Sequence, residues 1–485
     1  MKSIKPYIHY IVAALLFFLL KILVPASNGL TENGVLFISI LVPVLYLWCV
    51  ANTDWVSLLV LAVLAISGLM TPNAIWAGSY GSFIVALIIV CMALSAILTE
   101  TGVIDKVASW FITRNFIKGR PYAFIAMYML SFYVLGTFME ATALTVIYIA
   151  LTLSIFKSIG VEKGDKLYTA LMAGLLWGNS AVSAGSPISH TLPVLMINLL
   201  KNKGIDVSFA QWLSVGIPFE ILLYVLYMLI LKFIWKPDVS KLLNYDIDKV
   251  KANSKPLSAA GWLSAILFIV TVIAWLFPQF GTNIAPSAAS ALQSWSTTVP
   301  AIITLSLLCI IRIKGKPVAD FSSIAKNIPI GLLTFTGAVT LLGSVIELKN
   351  ADGVDIMGII PWIRNMLMPV TEALPLWLLL TVLVFLSLIM TNFLSNTVTM
   401  FLFAQIALAL WGDSNALNVV AFVIIITMTS CIGIATPSAS VPAPLLFGPG
   451  HITVKNSWKY SFCYCVAITA FTMLIIWPLA QVLIK

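Results

Sequence analysis

PYAFIAMYMLSFYVLGTFMEATALTVIYIALTLSIFK, residues 121–157, is an apolar run interrupted at its centre. A helix crossing a bilayer needs about 20 mostly apolar residues, so this run is too long for one crossing. Its middle, Gly136-Thr137-Phe138-Met139-Glu140-Ala141-Thr142, places a carboxylate where a crossing helix would be plainly apolar. The run therefore reads as two short helices folded into a re-entrant hairpin, entering and leaving on one side. Irregular backbone at that depth is tolerated only when it is buried in protein or lines a wet cavity. A second run, 373–412, has the same build, with Thr391-Asn392-Phe393-Leu394-Ser395-Asn396-Thr397 at its centre.

The rest of the chain agrees with a membrane setting. Of the 485 residues, 61% are hydrophobic and 9% charged, where soluble domains carry about 25% charged residues. The net charge of +9 does not point to nucleic acid, because the basic residues sit in short loops between apolar runs. All six cysteines lie inside apolar runs without metal-ligand spacing, and read as small core residues. The start, Met1 to Ser27, resembles a signal peptide, but its apolar stretch reaches Ile22 with no clear small-residue cleavage site, so it reads as a first span. No phosphate loop, HExxH or GxSxG is present, so neither ATP-driven pumping nor an intramembrane hydrolase has a motif to rest on. The expectation is a protein that is not an enzyme and has no cofactor, sodium ion aside.

Eleven crossings are expected, at 8–26, 34–52, 55–71, 82–100, 167–200, 208–234, 258–278, 297–313, 328–347, 415–448 and 458–483. With the N-terminus inside, the inner segments hold 21 of the 27 lysines and arginines, while the outer loop 279–296 has no charge. This follows the positive-inside rule and implies a multi-pass protein of a bacterial inner membrane with its C-terminus outside. The fold class expected is an all-α polytopic membrane protein. Residues 1–33 form the N-terminus and first helix, 34–234 a first repeat, 235–257 a cytoplasmic linker and 258–485 a second repeat. In each half a span ending in glutamate (Glu100, Glu347) precedes an amphipathic stretch (103–117, 354–367), a hairpin (121–157, 373–412) and a discontinuous helix (167–200, 415–448). Five crossings per repeat make the two insert in opposite orientations, as in many carriers with broken helices at the midplane.

The interruptions concentrate polar chemistry. Trp177–Thr191 contains Ser183, Ser186, Pro187, Ser189 and His190; Thr429–Pro444 contains Ala439 and Ser440 among Pro437, Pro442 and Pro444. Unwound backbone frees carbonyls for a cation, and a half-helix N-terminus offers N–H groups to an anion. The alternative is a kinked helix whose serines bond to its own carbonyls. At the second tip, Ser395, Asn396 and Thr397 supply neutral oxygens and N–H or O–H donors. Glu140 at the first tip is a site candidate because acids at membrane depth are costly; it would hold a cation, carry a proton or pair with His190, unless its tip is simply wet. Glu220 is placed near the outer interface and carries no role.

Ser395-Asn396-Thr397, with Thr391 four residues before, resembles the second Ser-Asn-Thr signature of the divalent anion:sodium symporters, in the ion transporter superfamily. Phe209-x-x-Trp212-x-x-x-Gly216-x-Pro218, Thr101-Gly102, Gly119-Arg120-Pro121, Ser430-Cys431 and Gly450-His451-Ile452-Thr453-Val454 are similar marks, spread over most of 34–483. The resemblance implies a homodimer importing or exchanging dicarboxylates, tricarboxylates or sulfate by an elevator motion. It implies a sodium site at Thr391, Ser395, Asn396 and Ala439, with Asn396 and Thr397 touching the substrate carboxylate. The first Ser-Asn-Thr is replaced by Met139-Glu140-Ala141, and the earlier serine by Leu135. The residues expected to bind solute or ion are therefore Glu140, Thr142, Ser186, Ser189, His190, Thr391, Ser395, Asn396, Thr397, Ala439 and Ser440. The expected activity is permease-type secondary transport of a small organic anion by symport with sodium or protons, or by exchange. A cation/proton antiporter using Glu140 is the alternative, and a channel is disfavoured because two dead-end hairpins would block a pore. The partners expected are a small anionic solute, the bilayer and a second copy, with no nucleic acid.

Overall fold

The computed structural model describes residues 7–484 except 52, 249, 250, 252–255, 327, 347, 351, 413–416 and 438. The expected span limits at Asn52, Glu347 and residue 415, part of the 235–257 linker, and Ser438 in the second interruption lie outside the described residues. So does the segment 1–6.

The described chain is helical apart from one two-residue hairpin and an isolated bridge. It opens with α1 (Ile8–Leu23), α2 (Glu32–Val50), α3 (Thr53–Ile66) and α4 (Pro72–Gly78). Next come α5 (Phe83–Glu100), amphipathic α6 (Val103–Ile112), the paired α7 (Pro121–Thr137) and α8 (Ala141–Ile159), and then α9 (Lys166–Gly185) and α10 (Thr191–Asn202). α11 (Phe209–Leu229) relaxes into a π-helix over Ile230–Trp235. The middle of the chain holds α12 (Ala259–Phe280), α13 (Pro286–Trp295), α14 (Thr298–Ile310), strands β1 (Arg312–Ile313) and β2 (Lys316–Pro317), and α15 (Phe321–Ala325).

The order of parts then recurs: α16 (Ile330–Val345), α17 (Ile359–Ala373), the paired α18 (Leu376–Met390) and α19 (Asn396–Trp411), then α20 (Val419–Ser430) and α21 (Ala443–Phe447). α22 (Val454–Phe471) also relaxes into a π-helix, Thr472–Ile476, before α23 (Trp477–Leu483).

Both apolar runs fold back on themselves. The Tyr128 hydroxyl donates to the Tyr148 carbonyl at 3.1 Å, and the Ser131 and Tyr148 hydroxyls meet at 2.7 Å. These pairs straddle the tip around Phe138–Glu140, as an antiparallel helical hairpin requires. α9 packs along α7 and α8, and α20 along α18 and α19, so each hairpin is clasped by the broken helix that follows it.

Among the described residues, six helical runs are long and apolar enough to cross a membrane: Glu32–Val50, Pro72–Glu100, Ala141–Ile159, Phe209–Trp235, Ala259–Pro278 and Val454–Leu483. Trp262, Ile266, Ile269, Val270 and Ile273 stand exposed along α12, a continuous apolar face that lipid rather than water would cover. The protein is thus an all-α, multi-pass membrane protein.

The bounds of several expected crossings are corrected. α1, α3 and α16 are shorter than expected, with 16, 14 and 16 residues. The expected span 55–71 stops at Ile66, where the chain turns through Gly68 at positive φ before α4. The expected loop 279–296 contains α13, bent by 83° from α14; Ser296, at φ 60°, makes the corner. The span expected at 297–313 ends at Ile310, because Lys314 and Gly315 (φ 53° and 81°) turn the chain into the β1–β2 hairpin. Two consecutive positive-φ residues match the twist of such a hairpin. The amphipathic stretch expected at 354–367 becomes helical only at Ile359, since the Asp355 carboxylate first accepts the Met357 and Gly358 N–H groups. α17 then meets α18 at 119°.

Part of the linker docks on the first half. The Lys241 ammonium donates to Asp165 Oδ2 at 2.8 Å and to the Gly160 carbonyl at 2.9 Å. Hydrogen bonding from Lys241 and from the Glu162 N–H holds the Asp165 carboxyl below the usual carboxylate range. The tie is therefore in place at neutral pH and is lost as pH falls through that lowered value.

Candidate functional site

The two hairpin tips and the two helix breaks bound one cavity of about 600 Å³. Glu140, Thr142, Ser189, His190, Ser395, Asn396, Thr397, Ala439 and Ser440 all line it. Ser186 and Thr391 do not. Both are fully buried, as is Ser189, but neither belongs to the cavity wall. Ser186 is turned inward because its hydroxyl accepts the Ile188 N–H at 3.2 Å, closing the turn at Pro187.

The first tip is built around Glu140. α7 ends at Thr137, and Glu140 caps α8: Oε1 accepts the Thr142 N–H at 3.1 Å and Oε2 the Ala143 N–H at 2.6 Å. A helix N-terminus favours an anion through these free N–H groups and the aligned peptide dipoles. The Glu140 N–H itself donates to Ser95 of α5, and the Ala141 N–H to the Ser189 carbonyl. The tip is therefore tied to the first break. His190 caps α10 in the same way, its Nδ1 accepting the Leu192 N–H at 3.2 Å. The expected Glu140–His190 pairing is thus replaced by two separate backbone caps.

The second tip differs in one respect: α19 begins at Asn396 without a side-chain cap. Its first-turn N–H groups and the Ser395, Asn396 and Thr397 side chains border the cavity. An uncapped helix N-terminus is a ready anion site. The two ends of the cavity are hence unlike: one carries its own carboxylate, while the other presents donors.

Neutral oxygens gather behind the second tip. The Thr391 hydroxyl lies 2.8 Å from Asn396 Oδ1 and also touches the Ser430 carbonyl. Gly433 allows a close approach there. A Cβ at Gly433 would lie 2.2 Å from the Ala439 carbonyl oxygen and 2.8 Å from Asn396 Oδ1. Hydroxyl, carboxamide and carbonyl oxygens are the donors a hard monovalent cation takes, so the chemistry of these residues fits sodium. The first tip does not match them: Leu135 and Met139 are buried and apolar.

Asn392 was not singled out by sequence reasoning, yet it fastens the second tip to the second break. Its Oδ1 accepts the Ile434 and Ala435 N–H groups at 2.8 and 2.7 Å, and its Nδ2 donates to the Leu388 carbonyl at 2.6 Å. The Asn392 carbonyl accepts the Thr436 hydroxyl at 2.6 Å. A side chain with two donors and two acceptors, at a tip of freed backbone, was the available signal. Asp54, in the loop-proximal turn of α3, also lines the cavity. Together with Glu140 it makes two carboxylates, and no lysine or arginine lines the cavity among the described residues.

A family model described as citrate transporter matches residues 43–428. A sodium-dependent dicarboxylate transporter, SdcS, of Staphylococcus saprophyticus is 23% identical over 477 residues, covering 92% of this chain and 86% of the relative. The transporter of that name in Staphylococcus aureus (strain USA300) is 22% identical over 485 residues, covering 92% and 86%. An uncharacterized transporter of Haemophilus influenzae is 22% identical over 339 residues, 69% of each chain. These relatives agree with the resemblance carried by Ser395-Asn396-Thr397.

Proposed function

Because this chain belongs to the citrate transporter family, we propose that it is a secondary active carrier for a small organic anion of the di- or tricarboxylate kind. The observation that carries this reading is the single cavity between both tips and both breaks, with the donors of the uncapped α19 at one end. A carboxylate of the solute accepts hydrogen bonds from that helix end and from Ser395, Asn396 and Thr397. Sodium is held by Thr391, Ser395, Asn396 and Ala439, and its positive charge offsets the approach of an anion to a cavity that already contains Asp54 and Glu140. Protons or a counter-anion are the other couplings the site permits. The halves 34–234 and 258–485 act as inverted repeats, with 121–157 and 373–412 as re-entrant hairpins in a transport unit that moves like an elevator. The protein works as a homodimer in a bacterial inner membrane, N-terminus inside. The sodium-dependent dicarboxylate transporters among the relatives and the recurrent order of elements support this reading.

A second reading rests on the two carboxylates and the lack of a basic lining residue: a cation/proton antiporter with Glu140 as the proton site. Proteoliposome uptake separates the two. Labelled di- and tricarboxylates should enter under an imposed sodium or proton gradient, or against a trapped anion. Sodium or potassium flux that changes luminal pH without any anion would replace the first reading with the second.

Gly433→Ala gives a sharper check on sodium. The new methyl collides with the Ala439 carbonyl oxygen and crowds Asn396 Oδ1, pushing these two oxygens out of place. The expected result is at least a tenfold rise in the sodium concentration needed for half-maximal uptake, equivalent to about 1.4 kcal/mol of lost binding. An unchanged sodium dependence would remove these oxygens from the ion site.

A further inference from the structure

Glu220 lies within α11 and is 5% exposed, buried in protein and not open to solvent. Its carboxyl is wedged between the C-terminal ends of two helices. On one side is Thr137, the last residue of α7, whose Oγ1 is 2.7 Å from Oε2. On the other is Gly185, the last residue of α9, where a Cβ would lie 2.0 Å from Oε1. Helix C-termini carry negative partial charge, so this position opposes a carboxylate. Glu140 is the converse case, seated on a helix N-terminus.

Hydrogen counting at Thr137 favours a protonated Glu220. Its Oγ1 is 2.8 Å from the Tyr133 carbonyl and 2.7 Å from Glu220 Oε2. A threonine hydroxyl has one hydrogen, and neither a carbonyl nor a carboxylate can donate. With Glu220 protonated each contact has its own hydrogen: the acid donates to Thr137 Oγ1, and Thr137 donates to Tyr133. With Glu220 ionised the two acceptors would share a single hydrogen. Oε1 is buried with no partner among the described residues, which a neutral acid tolerates far better than an ion.

Among the described residues no ion pair to Glu220 is formed. Tyr133 of α7 interacts with Glu220, and around Tyr133 lie Tyr224 and Tyr227 of α11 and Tyr464 of α22. Tyr224, Tyr227 and Tyr464 donate to the carbonyls of Ala126, Ala170 and Leu223. α12 and α23, also packed on α11, contain no charged residue; α22, packed there too, has Lys455 and Lys459 in its N-terminal part. Lys166 begins α9 at the end away from Gly185, and Lys232 lies twelve residues beyond Glu220.

We propose that Glu220 is a proton-binding site of the transport cycle, filled in this arrangement and emptied when α7 and α9 shift against α11. It rests on the transporter reading above. Thr137 precedes the cavity-lining Glu140 by three residues, and Gly185 precedes Pro187, which also lines the cavity, by two. A solute that moves either break therefore changes the surroundings of Glu220, and the proton passes to or from water.

The test is infrared spectroscopy of the purified protein in lipid nanodiscs near neutral pH. The wild type should show the C=O stretching band of a protonated carboxylic acid. That band should vanish in Glu220→Gln and persist in Glu140→Gln. Its absence from the wild type, or its survival in Glu220→Gln, overturns the proposal. Thr137→Val, which removes the hydroxyl acceptor, should shift the band, and an unmoved band overturns the pairing. In proteoliposomes, uptake by Glu220→Gln should lose at least most of its pH dependence, because the amide imitates the neutral acid; an unchanged pH profile removes Glu220 from the cycle. The infrared result needs no substrate. If no carboxylate is carried but the band belongs to Glu220, the carrier reading fails and the proton site stands.

Discussion

Asn392→Ala is expected to abolish uptake and to produce the largest loss of thermal stability of any single substitution at either tip. The carboxamide is 2% exposed as a residue and serves the Ile434 and Ala435 N–H groups and the Leu388 carbonyl. Alanine leaves both N–H groups buried without an acceptor. Each orphaned buried group costs about 1–3 kcal/mol, so the pair costs roughly 2–6 kcal/mol. Water entering the break would lower that figure, but only by unpacking α19 from α20. Either way the N-terminus of α19 no longer holds its place beside Ala439. The check is a melting curve in detergent together with uptake. Asn392→Asp keeps the two acceptors but loses the donors, and should fall between wild type and alanine. If Asn392→Ala melts and transports as wild type does, the tip is held by something other than this side chain.

Gly216→Ala is the second large effect. A Cβ at Gly216 would lie 1.9 Å from the Gly185 carbonyl oxygen and 2.7 Å from its carbon. Backbone faces backbone at this crossing, so no side chain can move aside, and small residues are what allow such close approach between membrane helices. The methyl must push α11 from the end of α9. That pulls Trp212 Nε1 from the Ala184 carbonyl, now 3.1 Å away, and disturbs the break that starts at Ser186. Overpacking of this kind costs about 1–3 kcal/mol. Uptake should fall at least tenfold, whereas Ile266→Ala on the exposed face of α12 should leave it unchanged. Equal activity in both variants would mean that the α9–α11 contact does not position the break.

The hairpins were legible because a polar interruption inside forty apolar residues has few physical explanations. The same reasoning found both broken helices, and nine of the eleven chosen residues line the cavity. What failed has a common cause: depth and facing are not written in a one-dimensional pattern. Ser186 and Ser189 are both buried hydroxyls of one loop bonded to nearby backbone, to the Ile188 N–H and the Val182 carbonyl respectively, and only the fold decides that Ser189 alone borders the cavity. Asn392 stood beside Thr391 in the quoted tip, but the backbone groups it binds come from a break some forty residues later. Glu220 follows Pro218 near the start of a span, which suggested an interface; the glycine crossing at Gly185 and Gly216, which draws α11 in and buries the acid, is a tertiary fact. The bend between α13 and α14 was missed because an uncharged loop and a short surface helix look alike in composition.

The central claim is that the solute sits between the two tips, against Ser395. Thiol labelling of Ser395→Cys in a background without the six native cysteines tests it directly. A transported carboxylate should slow the labelling, at concentrations that half-saturate uptake, and a non-transported anion should not. Labelling at an unaltered rate in a variant that still carries the carboxylate would contradict it.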